Sequence, residues 1–111
     1  MFNLEMICQA QHRIRSLVHR TPMIHSQTLS NHLGTQVHVK LECLQKTGSF
    51  KPRGAFNKML SLTPEERKRG VVAVSGGNHA QGVAYAARQL EIAATIVMPA
   101  STPRNYVEAT R

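Results

Sequence analysis

The sequence predicts an α/β fold, a parallel sheet whose strands are joined by helical crossovers. Three observations lead there. Apolar runs of strand length at residues 71–74 and 94–98 are separated by a helix-length segment, 78–90, rich in alanine. Helix start signals recur at Pro52 and at Thr63-Pro64. A glycine turn, Ser75-Gly76-Gly77, stands between an apolar run and a helical segment, as at the carboxyl end of a strand in an open sheet.

Each element has a local cause. Residues 4–18 place Leu4, Ile7, Cys8, Ile14, Leu17 and Val18 near one helical stripe. Thr21-Pro22 breaks that helix, because the residue before a proline is pushed out of the helical region. Residues 26–33 form a short helix closed by Gly34. Residues 37–42 alternate apolar and polar, as a half-exposed strand does. Residues 52–62 form a helix with Pro52 in its first turn, where the missing N–H has no partner to lose. Thr63-Pro64-Glu65-Glu66 opens the next, with Thr63 as cap, Pro64 first and Glu66 closing a capping box. Residues 71–74 read as a short buried strand, 78–90 as a helix, 94–98 as a strand and 103–111 as a helix. Strands so separated pair in parallel through right-handed crossovers.

Composition narrows the function. The 111 residues support one domain with a modest core, and 41% of them are hydrophobic, as in a globular chain. Cys8 and Cys43 lie in apolar or strand-like segments and form neither a CxxC pair nor a Cys/His zinc spacing. No metal is expected, and a reducing, cytoplasmic setting is. No basic segment followed by an apolar core opens the chain, and no apolar run approaches the ~20 residues of a membrane span. The net charge of +8 raises nucleic-acid binding as a possibility. The cations, however, are scattered. Their one run, Arg67-Lys68-Arg69, ends a helix, where positive charge is favourable. No aromatic residues alternate with them to stack bases. Nucleic acid and membrane are therefore not the expected partners; a non-catalytic basic module that binds a protein or nucleic acid is the alternative reading.

Two loops carry the chemistry. Lys46-Thr47-Gly48-Ser49-Phe50-Lys51-Pro52-Arg53-Gly54-Ala55 sets a lysine where a helix begins, offering an amine nucleophile. Ser75-Gly76-Gly77-Asn78-His79-Ala80-Gln81-Gly82 follows a strand and offers unpaired N–H groups to an anion. Together they look like the amine and carboxylate halves of an amino-acid site. The plainer reading of the second loop is a tight turn with Asn78 capping the helix. It is not a nucleotide-binding P-loop. Gly77 and Gly82 have the spacing, but Val83 and Ala84 stand where Lys and Ser/Thr are needed.

These two motifs, in order and in register, resemble those of the serine/threonine dehydratases, pyridoxal-phosphate enzymes of the tryptophan-synthase-β fold group. Arg20-Thr21-Pro22, Lys40-Leu41-Glu42 and Val97-Met98-Pro99 extend the resemblance over nearly the whole chain. It implies pyridoxal 5'-phosphate as cofactor and β-elimination from L-threonine or L-serine, giving a 2-oxo acid and ammonia. It implies that Lys51 holds the cofactor covalently and moves the α-proton, that Phe50 packs beside the cofactor ring, and that Asn78 bonds the ring's 3-hydroxyl. Ser75, Gly76, Gly77, Asn78 and His79 would bind the substrate carboxylate. Pro52 and His79 favour the dehydratase branch, and Gly76 stands where related serine racemases carry an acid/base serine. Tyr106 replaces a lysine expected in many relatives. By the same resemblance, residues 1–34 are an N-terminal helical arm and 35–111 part of a small α/β domain. The large domain with its phosphate-binding glycine loop is expected to be absent, so that this piece alone is inactive and the full-length form a homo-oligomer.

Overall fold

The computed structural model describes residue 1 and residues 3–111. Helix α1, Leu4–Ile14, starts at Asn3, whose side chain accepts the Met6 N–H at 3.0 Å. It is shorter than the apolar stripe suggested. The Leu17 N–H turns back onto the Ile14 carbonyl at 2.9 Å, so Leu17 and Val18 pack on the core from a turn. Strand β1, Met23–His25, and β2, His38–Lys40, form an antiparallel ribbon with His25 opposite His38. Between them lies α2, Gln27–Leu33, capped by Ser26 and closed by Gly34 at φ +65°. The second strand therefore pairs with an unforeseen neighbour and stands apart from the parallel sheet. Two short 3₁₀ turns, Glu42–Leu44 and Lys46–Gly48, lead into α3, Lys51–Leu60. Cys43 thus sits in a turn, and both cysteines are free and exposed.

Helix α4, Pro64–Arg69, has the capping box read from its sequence. Thr63 Oγ1 accepts the Glu66 N–H at 3.2 Å, and a Glu66 carboxylate oxygen accepts the Thr63 N–H at 2.8 Å. That bond holds the Glu66 carboxyl below the usual carboxylate range. Strands β3, Val71–Val74, and β4, Ala94–Val97, pair in parallel, with Val71 opposite Ala94. Helix α5, Asn78–Gln89, is their crossover, and α6, Arg104–Thr110, follows.

The core lies where α3 and α5 face each other. Ala55, Phe56 and Met59 meet Val83, Ala86 and Ala87, with Ile14 and Ile92 completing the cluster. Phe56 is fully buried and meets Tyr85 edge to face, ring centroids 5.8 Å apart. Alanine on α5 allows this close approach. Val71, Ala73 and Ile96 cover the cluster from the sheet. The expectation of a buried β3 is corrected: its residues alternate, and Val72 and Val74 are more than 70% exposed. The apolar run reflected two faces, of which one is covered. The total accessible surface, 8067 Å², exceeds the roughly 6,100 Å² expected of a closed globule of this mass.

Candidate active site

Lys51 is the first residue of α3. The chain reaches it through two successive left-handed residues, Thr47 at φ +60° and Gly48 at φ +68°. Glycine adopts this freely, whereas threonine does so at a cost of about 1–2 kcal/mol. The turn is closed by the Gly48 N–H on the Gln45 carbonyl at 2.9 Å. Ser49 is buried, and its hydroxyl accepts the Lys51 N–H at 3.4 Å. Phe50 is exposed, and the Lys51 ammonium lies 4.9 Å from its ring centroid, a cation–π distance. Among the described residues no carboxylate forms an ion pair with Lys51.

The second loop continues the sheet. The Ser75 N–H bonds the Val97 carbonyl at 3.0 Å, and the Gly77 N–H bonds the Ser75 hydroxyl at 3.2 Å. Gly77, at φ −143° and ψ −146°, is the cap of α5 and provides no side-chain acceptor. The plainer reading of Asn78 is thereby corrected. Asn78 is the first helical residue, and both it and His79 are exposed. The opening N–H groups of α5 have no acceptor within the helix, and the helix dipole adds about half a positive charge there. A side chain built on Gly77 would meet open space.

Gly82 brings the two loops together. A Cβ built there would stand 2.9 Å from the Lys51 Cβ, 3.1 Å from its carbonyl carbon and 3.2 Å from the Pro52 nitrogen. The start of α3 therefore rests on α5 four residues past Asn78, about 6 Å of helix rise. A third loop closes over Gly76: a Cβ there would stand 2.7 Å from the Thr102 hydroxyl and 3.4 Å from the Pro99 ring.

A polar network behind Lys51 escaped the sequence reading. Arg53 donates two parallel hydrogen bonds to Glu42, from Nε and Nη2, each 2.8 Å. The guanidinium holds the Glu42 carboxyl below the usual carboxylate range, against the opposing effect of burial. Arg53 also donates to the His19 carbonyl at 3.0 Å, and the Thr21 hydroxyl donates to Glu42 at 2.5 Å. The sequence reading met Arg20-Thr21-Pro22 and Lys40-Leu41-Glu42 only as stretches that extend the family resemblance.

Residues 14–111 match the family of the pyridoxal-phosphate dependent enzymes. The chain belongs to that family. An L-threonine ammonia-lyase of Thermotoga maritima is 54% identical over 111 residues, all of this chain and 28% of that protein. An L-threo-3-hydroxyaspartate ammonia-lyase of a Pseudomonas species is 51% identical over 105 residues, 95% of this chain and 33% of that protein. The structure of maize serine racemase superimposes with a TM-score of 0.88 at 42% identity, covering 97% of this chain and 33% of that one. The α/β fold expected from the resemblance is thus that of this enzyme class, and the chain spans about a third of the length of these relatives. Among the described residues no helix is long and apolar enough to cross a membrane.

Proposed function

We propose that the whole protein is a pyridoxal-phosphate-dependent ammonia-lyase that removes water and then ammonia from L-threonine or L-serine. The observation that carries this reading is the Gly82 contact. It sets the turn that carries Lys51, whose amine has no carboxylate partner among the described residues, and the N-terminus of α5 at the same end of the α3–α5 pair.

The residues fit the cofactor. Lys51 offers an amine for its aldehyde, with the exposed Phe50 ring at hand as a flat apolar partner. Asn78 has a side chain free of capping duty and can donate to the ring's 3-hydroxyl. The cofactor, when bound, supplies an electron sink for the charge that develops at the substrate's α-carbon. Lys51, with its amine free, would be the base that receives the α-proton. The backbone N–H groups of Gly76, Asn78 and His79 hold the substrate carboxylate and so orient the α-carbon, while the Gly77 N–H on the Ser75 hydroxyl fixes the turn that presents them. The division into an arm, residues 1–34, and part of a small α/β domain, residues 35–111, belongs to the same proposal. So do assembly as a homo-oligomer and a reducing cytoplasmic setting, which suits two exposed free cysteines.

The test is borohydride reduction of the chain in the presence of pyridoxal phosphate, followed by peptide mass spectrometry. The adduct is expected on Lys51. Label on Lys46 or Lys58 with Lys51 clean would refute the assignment.

A further inference from the structure

We propose that Glu42, acting through Arg53, is a positioning residue for Lys51. The inference rests on the proposed role of Lys51 and adds a residue outside both motif loops.

The first turn of α3 is packed through Pro52, which is fully buried, but has few hydrogen bonds of its own. Pro52 has no N–H to donate, the Lys51 N–H makes only a 3.4 Å bond to Ser49, and Phe50 projects into solvent. On one side the turn rests on Gly82. On the other it is held by Arg53, two residues after Lys51, through the fork on Glu42. Paired N–H donors on one carboxylate fix direction as well as distance. Glu42 is itself fixed. The Thr21 hydroxyl donates to it, and the Lys40 ammonium lies 3.9 Å away while donating to the Thr21 carbonyl at 2.9 Å. Gln45, buried, ties the same segment to its neighbours: its Oε1 accepts the His19 N–H at 2.9 Å and its Nε2 donates to the His19 carbonyl at 2.8 Å.

Thr21, Lys40 and Arg53 therefore converge on one carboxylate, and that carboxylate holds the turn that carries Lys51. The long lysine side chain amplifies any rotation of its turn, and misplacement by about 1 Å can cost about a hundredfold in a reaction that needs alignment. Losing the Glu42 charge leaves the Arg53 fork one amide oxygen in place of two carboxylate oxygens, beside the His19 carbonyl and the Thr21 hydroxyl, and the paired bonds that set its plane are gone.

The experiment compares the 111-residue chain with its Glu42→Gln and Arg53→Lys variants. Each is reduced with borohydride in pyridoxal phosphate, and the adduct on Lys51 is measured relative to that on Lys58, an exposed lysine two turns along the same helix. Glu42→Gln keeps volume and removes charge; Arg53→Lys keeps charge and removes the fork. Both should lower the Lys51:Lys58 ratio about tenfold, roughly the worth of one charge-assisted hydrogen bond. Labelling is done below every unfolding midpoint. Thr63→Ala, which breaks the remote α4 cap, should lower the midpoint and leave the ratio unchanged. A ratio unchanged in a folded Glu42→Gln chain overturns the inference while leaving the role of Lys51 intact. A fall in Glu42→Gln without one in Arg53→Lys also overturns it, since that is an effect of charge alone. A parent chain unlabelled at Lys51 refutes the proposed function, and the inference with it. Should Glu42→Gln not fold, Arg53→Lys against Thr63→Ala decides.

Discussion

Replacing Gly82 by alanine tests whether the two motifs are joined by backbone contact. In an exposed helix interior this change stabilises by about 1 kcal/mol, since alanine restricts the unfolded chain more and favours the helix. Here the new methyl would lie 2.9–3.2 Å from Lys51 and Pro52, on atoms of or next to the main chain that cannot swing aside. Overpacking of this kind costs about 1–3 kcal/mol. The propensity gain offsets part of it, so a net loss of about 1 kcal/mol is expected. Gly54 is the internal control. It lies in α3, is exposed, and a Cβ there meets nothing within 4 Å. Gly54→Ala should give the ordinary gain of about 1 kcal/mol. The two variants should thus differ by about 2 kcal/mol, roughly 8–16 °C in unfolding midpoint for a domain of this size. Thermal unfolding by circular dichroism reads the difference. A Gly82→Ala midpoint equal to or above that of Gly54→Ala would show that α3 and α5 do not touch at Lys51.

Other expectations follow from the same geometry. Asn78→Ala should change stability by less than about 0.5 kcal/mol, because Gly77 is the cap, yet weaken pyridoxal phosphate binding measured by absorbance titration; a stability loss near 1 kcal/mol would return Asn78 to a capping role. Gly76→Ala should destabilise by about 1–3 kcal/mol, and Thr102→Ala introduced with it should recover most of that loss in a double-mutant cycle, since the Thr102 side chain makes the closest contact. Glu42 has a folded-state pKa lowered from 4.5, so its stabilising contribution is complete above that pH and is lost as pH falls below it. The unfolding midpoint of Glu42→Gln should accordingly vary less with pH below about 4.5 than that of the parent.

The helices were legible because their signals are local. Thr63 to Glu66 spells a capping box, Gly34 a left-handed stop, and the alanines of α5 a helix that can be approached closely. Strand β1 was not legible: its three residues are all exposed and show no alternation, and only the ladder to β2, fifteen residues on, defines it. The same limit applies within the site. Lys51 and the asparagine loop could be read from glycine and proline placement, but Asn78 could not be told from a cap, since Gly77 and Asn78 are both permitted there. The Glu42–Arg53 pair was hidden because its members are eleven positions apart and two 3₁₀ turns fold the chain between them back on itself. Gly82 looked like one more helical glycine; its reason for being glycine lies on another element.

The contact between Gly82 and Lys51 also bears on how the site breathes. Where two elements meet through long side chains, rotamer changes can part them while the backbones stay put. Here main-chain atoms of one helix start lie against a residue with no side chain, so there is no such slack. The turn that carries Lys51 and the first turn of α5 must shift as a single body or open by breaking the α3–α5 interface altogether. They are expected to behave as one cooperative unit in amide hydrogen exchange, with residues 53–59 and 80–87 showing a common opening free energy. Any movement at the proposed site is then a movement of the whole pair, with the main-chain spacing between its two turns held by the Gly82 contact.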